Sequence, residues 1–93
     1  MKRRIVITGI GAVTPLGNSA RDTWEAICRG QSGIGRITKF DATGYRTQIA
    51  GELKNFDPLN YVSNKELRRL DNFSVYALAA AGMAVSDAKL HIN

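Results

Sequence analysis

The sequence predicts an α/β chain, and three features carry that prediction. A run of β-branched residues opens it, a glycine-rich loop joins that run to an amphipathic helix, and further helix starts come after it toward residue 93. Arg4-Ile5-Val6-Ile7-Thr8 lacks polar alternation, which suits a central strand covered on both faces, as in α/β layers. The loop after it, residues 9–17, carries Gly9, Gly11, Gly17 and Pro15. Ser19 then stands as an N-cap, with Asp22 in the first turn favouring the positive helix start. Trp24, Ile27 and Cys28 fall at i, i+3 and i+4 and predict one buried stripe, with Cys28 as a small core residue. Arg29 and then Gly30 end the helix.

Residues 31–45 read as a connecting segment with turns at Gly33, Gly35 and Gly44, and 47–53 as a second strand with Ile49 and Leu53 on its buried side. Asp57-Pro58 places an N-cap before a proline at the first helical position and starts a short helix. Ser63-Asn64-Lys65-Glu66 has the S-x-x-E form of a capping box and starts another. Asp71 or Asn72 caps a longer helix reaching about Lys89, with Phe73, Tyr76, Ala77, Ala80 and Ala84 at helical spacing. Its alanines and Gly82 would let a neighbouring element come close. Two strands and several helices do not close a convincing core alone. The chain reads as part of a larger body, 1–93 forming part of one domain with no separate second one. The last residues, Leu90-His91-Ile92-Asn93, look like a truncation just past a helix.

Composition and motifs narrow the chemistry. No apolar run approaches the ~20 residues a membrane span needs, and the basic start lacks the apolar stretch of a secretion signal. One cysteine fits a reducing compartment, so a cytoplasmic location is expected. Thirteen Lys and Arg against eight Asp and Glu leave a net charge of +5, yet no nucleic-acid motif accompanies it; an acidic protein partner is the better match. Gly9 and Gly11 fit the first two glycines of G-x-G-x-x-G, but the third position is Thr14, with Pro15 next to it. Dinucleotide binding therefore fails on spacing, and a Rossmann-type oxidoreductase stays a distant alternative. A single Cys28 and a single His91, the latter near the end, assemble neither a nucleophile with its base nor a zinc site. No catalytic residue, metal or cofactor is expected in these 93 residues, and acids such as Asp41, Glu52, Asp57 and Glu66 are expected to cap turns or sit at the surface.

One constellation remains. Lys65, Arg68 and Arg69 fall at i, i+3 and i+4 and share a face of the helix opened by the capping box, while Leu67 and Leu70 point away. The pattern suits a solvated basic face; it also suits a dock for an acidic partner, held by contacts that weaken with salt.

Taken in order, the segments Arg4 to Gly11, Thr14-Pro15-Leu16-Gly17, Thr23-Trp24, Gly30-Gln31-Ser32-Gly33-Ile34, Phe40-Asp41, Ala50-Gly51, Lys65-Glu66, Arg68-Arg69 and Asp71 resemble the β-ketoacyl-acyl carrier protein synthase II family over the whole chain. The ketosynthase subunits of polyketide assembly lines share many of these positions and stand as the alternative. The resemblance implies a thiolase-like fold of two similar α/β halves in five layers, usually a homodimer, of which this chain supplies the first part of the amino-terminal half. It implies an acyltransferase of fatty acid elongation that loads an acyl group from acyl carrier protein onto a cysteine, decarboxylates malonyl-carrier protein and joins the two. The family's Cys and two His would lie beyond residue 93, and Cys28, near a helix end, does not match the nucleophile. Lys65, Arg68 and Arg69 match the family's basic residues that dock the acidic helix of acyl carrier protein.

Overall fold

A computed structural model of the chain describes residues 2–91. They form two compact units, one of residues 2–12 and 57–91, the other of residues 13–56.

In the second unit, α1 (Ala20–Cys28) starts where predicted: Ser19 is extended, and its hydroxyl accepts the Asp22 N–H at 3.1 Å. Arg29 closes the helix, and Gly30 comes next at φ 70°, a left-handed position that glycine occupies without strain. The turn before the helix, 14–17, is tied together by Thr14. Its hydroxyl accepts the N–H of Leu16 and Gly17 and lies 2.9 Å from the Thr23 hydroxyl, which in turn donates to the Ser19 carbonyl. The predicted buried stripe is not found. Trp24 is 65% and Ile27 51% exposed, Cys28 is exposed as well, and only Ala26 of α1 is buried. Periodicity identifies an apolar face but supplies nothing to cover it.

The unit's sheet pairs β1 (Ile34–Arg36) with β2 (Ile49–Gly51), antiparallel, with Gly35 opposite Ala50. The predicted strand 47–53 thus shrinks to three residues. Its partner lies in the segment read as a connection, because Gly33 and Gly35 hid the strand tendency of Ile34. Ile49 is 59% exposed and Ala50 is the more covered, so the buried side of β2 is the opposite of the expected one.

In the first unit, residues 4–8 belong to no ladder among the described residues, and Ile5 and Ile7 are 92% and 82% exposed. The central strand is not formed there, because a strand exists only through a hydrogen-bonded neighbour. The glycines just beyond it pack tightly. Gly9 and Gly11 lie against α3 (Asn72–Asp87) so closely that a Cβ on Gly11 would overlap the Ala80 carbonyl and stand 2.7 Å from the Ala84 nitrogen. The Ile10 N–H donates to the Asp87 carboxylate at 3.0 Å. The close approach expected along this helix is thus made at its alanines, whereas Gly82, named with them, has open space where its side chain would be.

The short helix expected at Asp57-Pro58 is a 3₁₀ turn, η1 (Pro58–Asn60), with Asp57 as its N-cap and the Asp57 carboxylate accepting the Leu59 N–H. It leads into α2 (Asn64–Leu67) and then α3, which ends at Asp87, short of Lys89. Val62, Val75 and Ala79 form this unit's buried core. The inward side of α3 is therefore the Val75–Ala79 line; Phe73 is 72% exposed and Ala77 is exposed too. Alanine and other apolar residues fill this helix nearly all round, so its spacing alone fits several faces equally well. No helix among the described residues is long and apolar enough to cross a membrane.

Candidate functional site

The site is built on the short segment between η1 and α3. Val62 is buried, and its N–H bonds the Pro58 carbonyl at 3.0 Å, which fixes where the chain enters α2. Ser63 then takes the N-cap conformation with φ −76° and ψ 163°. Its hydroxyl accepts the Glu66 N–H at 3.2 Å and donates to Glu66 Oε1 at 3.1 Å, while the Ser63 N–H reaches the same oxygen at 3.4 Å. Both halves of the predicted capping box are present.

This box turns a single helical turn into a defined platform, since so short a helix gains little from propagation. Arg68 is the C-cap, with its N–H on the Asn64 carbonyl, and Arg69 lies one residue beyond, its N–H on the Glu66 carbonyl at 3.0 Å. The helix is thus shorter than the i, i+3, i+4 spacing required, but the backbone stays helical in sense through the tighter i−3 bond. Lys65, Arg68 and Arg69 are all exposed, while Leu67 and Leu70 are half-buried. None of the three cations makes an ion pair among the described residues; the ion pair found joins Arg21 to Glu25. Three positive charges within five residues therefore face solvent unneutralised by side-chain partners.

The other candidate groups come apart. Cys28 and His91 are both exposed. No set of three His, Cys, Asp or Glu side chains gathers as metal ligands would among the described residues. The acids hold backbone instead. Asp41 accepts the Thr43 N–H at 3.0 Å, and the bonds from Thr43 hold its carboxyl below the usual carboxylate value. Glu52 accepts from the Thr38 hydroxyl at 2.9 Å and from the Thr38 and Lys39 N–H groups at 3.2 Å, and these bonds, the hydroxyl's first, lower its pKa. The sequence suggests no more than a surface charge at Glu52; a clasp between residues fourteen apart has no local signature.

Residues 2–93 match the family model of the β-ketoacyl synthase N-terminal domain. The chain is 45% identical over 92 residues to the 3-oxoacyl-[acyl-carrier-protein] synthase 2 of a Synechocystis species, and 48% identical over 91 residues to that of Staphylococcus aureus. These alignments cover 99% and 98% of the chain and 22% of each relative, so the chain spans about a fifth of their length. Among solved structures it is similar to the ishigamide ketosynthase/chain length factor, with TM-score 0.88 at 34% identity over 98% of this chain and 23% of that one. It is also similar to a type II polyketide ketosynthase solved in complex with its acyl-carrier protein, with TM-score 0.72 at 30% identity over 97% of this chain and 23% of that one. By sequence and by structure, the chain belongs to the β-ketoacyl synthase family and corresponds to part of its N-terminal domain.

Proposed function

We propose that the protein carrying this chain is a 3-oxoacyl-acyl carrier protein synthase, and that Lys65, Arg68 and Arg69 form part of its docking surface for acyl carrier protein. The observation that supports the reading best is the 45–48% identity to synthases of that name along nearly the whole chain. The three exposed, unpaired cations on a capped platform add a surface of the right sign for an acidic partner. In the reaction, an acyl group passes from carrier protein to a cysteine thiol outside these residues. Malonyl-carrier protein then loses CO₂, and the resulting carbanion attacks the acyl thioester carbonyl. The thiolate leaves and recovers a proton, and 3-oxoacyl-carrier protein departs. No redox cofactor is needed: the bonding pair released with CO₂ forms the new C–C bond, the C–S pair leaves on the thiolate, and nothing is oxidised or reduced overall. The chain's own residues contribute scaffold and docking, within a thiolase-like, cytoplasmic homodimer. No nucleic-acid role is proposed for the excess positive charge.

The similarity to polyketide ketosynthases favours a second reading, a ketosynthase subunit of a polyketide pathway. Its lower identity, 30–34%, places it behind the first. The test is incubation of the full-length protein with acyl- and malonyl-carrier protein, tracking CO₂ release and the carrier-bound product. One CO₂ per acyl chain and a single 3-oxoacyl product is the expected outcome. Repeated condensation to a poly-β-keto chain supports the polyketide reading, and no CO₂ above the enzyme-free rate contradicts both.

A further inference from the structure

The docking platform contains an acid of its own, and the capping box determines where that acid goes. Glu66 is the one carboxylate between Asn64 and Leu70, three residues before Arg69. At that spacing on a helical turn, Glu and Arg side chains ordinarily meet. Here they do not. Glu66 Oε1 is turned back to the start of the turn, held by the Ser63 hydroxyl at 3.1 Å and the Ser63 N–H at 3.4 Å, and Arg69 makes no ion pair among the described residues. We propose that Ser63 and Glu66 are positioning residues for carrier-protein docking, the box holding the Glu66 carboxylate away from Arg69 so that all three cations stay available to an acidic partner. The inference rests on the docking reading above and adds to it a reason why an acid can sit inside a cationic surface without neutralising it.

Removing the clasp frees the carboxylate. In Ser63→Ala, Glu66 can swing to Arg69 and compete with the partner's acids. The full-length protein is titrated with acyl carrier protein in four forms at ~0.01 M and ~0.15 M salt: Ser63→Ala, Ser63→Thr, Ser63→Ala with Glu66→Gln, and Lys65→Glu/Arg68→Glu/Arg69→Glu. Because an exposed charge pair is weak, Ser63→Ala should bind about two- to fivefold more weakly at low salt. That deficit should shrink at the higher salt, where screening begins within ~8 Å. Ser63→Thr keeps a hydroxyl cap and should bind like the parent protein. The double variant still lacks the cap but carries no free carboxylate, and should recover most of the loss. Equal weakening in Ser63→Ala and the double variant would mean that the box only holds the backbone, and would overturn the proposal. So would a Ser63→Ala variant that binds like the parent while the triple variant fails. A triple variant with unchanged affinity is a separate failure, that of the docking reading itself.

Discussion

Glu52 shows how a single side chain can set the shape of a loop in this protein. Its carboxylate collects the Thr38 hydroxyl and the Thr38 and Lys39 N–H groups, joining the segment after β1 to the segment after β2. These donors favour the charged form, so the folded pKa lies below the ordinary one. The direction of the pH effect comes from linkage. A depressed folded pKa contributes stability that is present above the ordinary value of 4.5 and is lost as pH falls through the folded value. The Thr38 and Lys39 amide protons should therefore lose their protection from exchange as pH falls through the folded value, which lies below the ordinary 4.5, and in Glu52→Gln that protection should no longer change with acid. Amide exchange monitored by NMR from about pH 3 to about pH 6 checks this; identical acid profiles in the two proteins would contradict it. The caps at Ser19, Asp57 and Ser63 are legible in the sequence for a simple reason. Each bond spans two or three residues, so residue type and spacing define it almost completely. The Glu52 clasp is not legible, since it depends on how two strands come together.

Elements depend on partners, and here local pattern says less. Residues 4–8 have strand composition but no ladder neighbour among the described residues, whereas Ile34–Arg36 pairs with Ile49–Gly51 despite its glycines. The same limit applies to faces. Trp24 and Phe73 stand on apolar helix surfaces that periodicity predicts, yet both are more than half exposed. Close approach is half legible: the alanines of the long helix do admit a neighbour, since Gly9 and Gly11 lie against Ala80, Ala84 and Ala88, whereas Gly82, expected to share in it, has open space at its Cβ. A side chain on Gly11 would drive into the Ala80 carbonyl and the Ala84 nitrogen, which are helix backbone and cannot move aside independently. Gly11→Ala should therefore cost about 1–3 kcal/mol, in the range of overpacking. Gly82→Ala, with open space at its Cβ, should stabilise this chain by about 0.5–1 kcal/mol by restoring helix propensity. Thermal unfolding monitored by circular dichroism compares the two. A Gly11→Ala variant that melts no lower than the parent would contradict the packing described here.

At the scale of the molecule, the basic character resolves into a local feature. The net charge of +5 could be spread as a solubilising coat, but three of the cations lie on one capped segment with no acid paired to them among the described residues. Spacing alone gathers these residues on one basic face, and only the family resemblance assigns that face a docking role; the structure adds that a 3₁₀ turn, a buried Val62 and a capping box define the segment that carries them. Family membership rests on residues 2–93 together and not on any one motif. Chemistry is less legible because the chain spans about a fifth of its relatives, and a docking surface announces a partner's charge without its identity. The docking assignment is tested most sharply by the affinity of the full-length protein for acyl carrier protein before and after Lys65, Arg68 and Arg69 are all replaced by glutamate. The expected result is at least a tenfold loss at low salt, about 1.4 kcal/mol, and a shallower dependence of affinity on salt. Unchanged affinity with an unchanged salt dependence would show that these three cations do not dock the carrier protein.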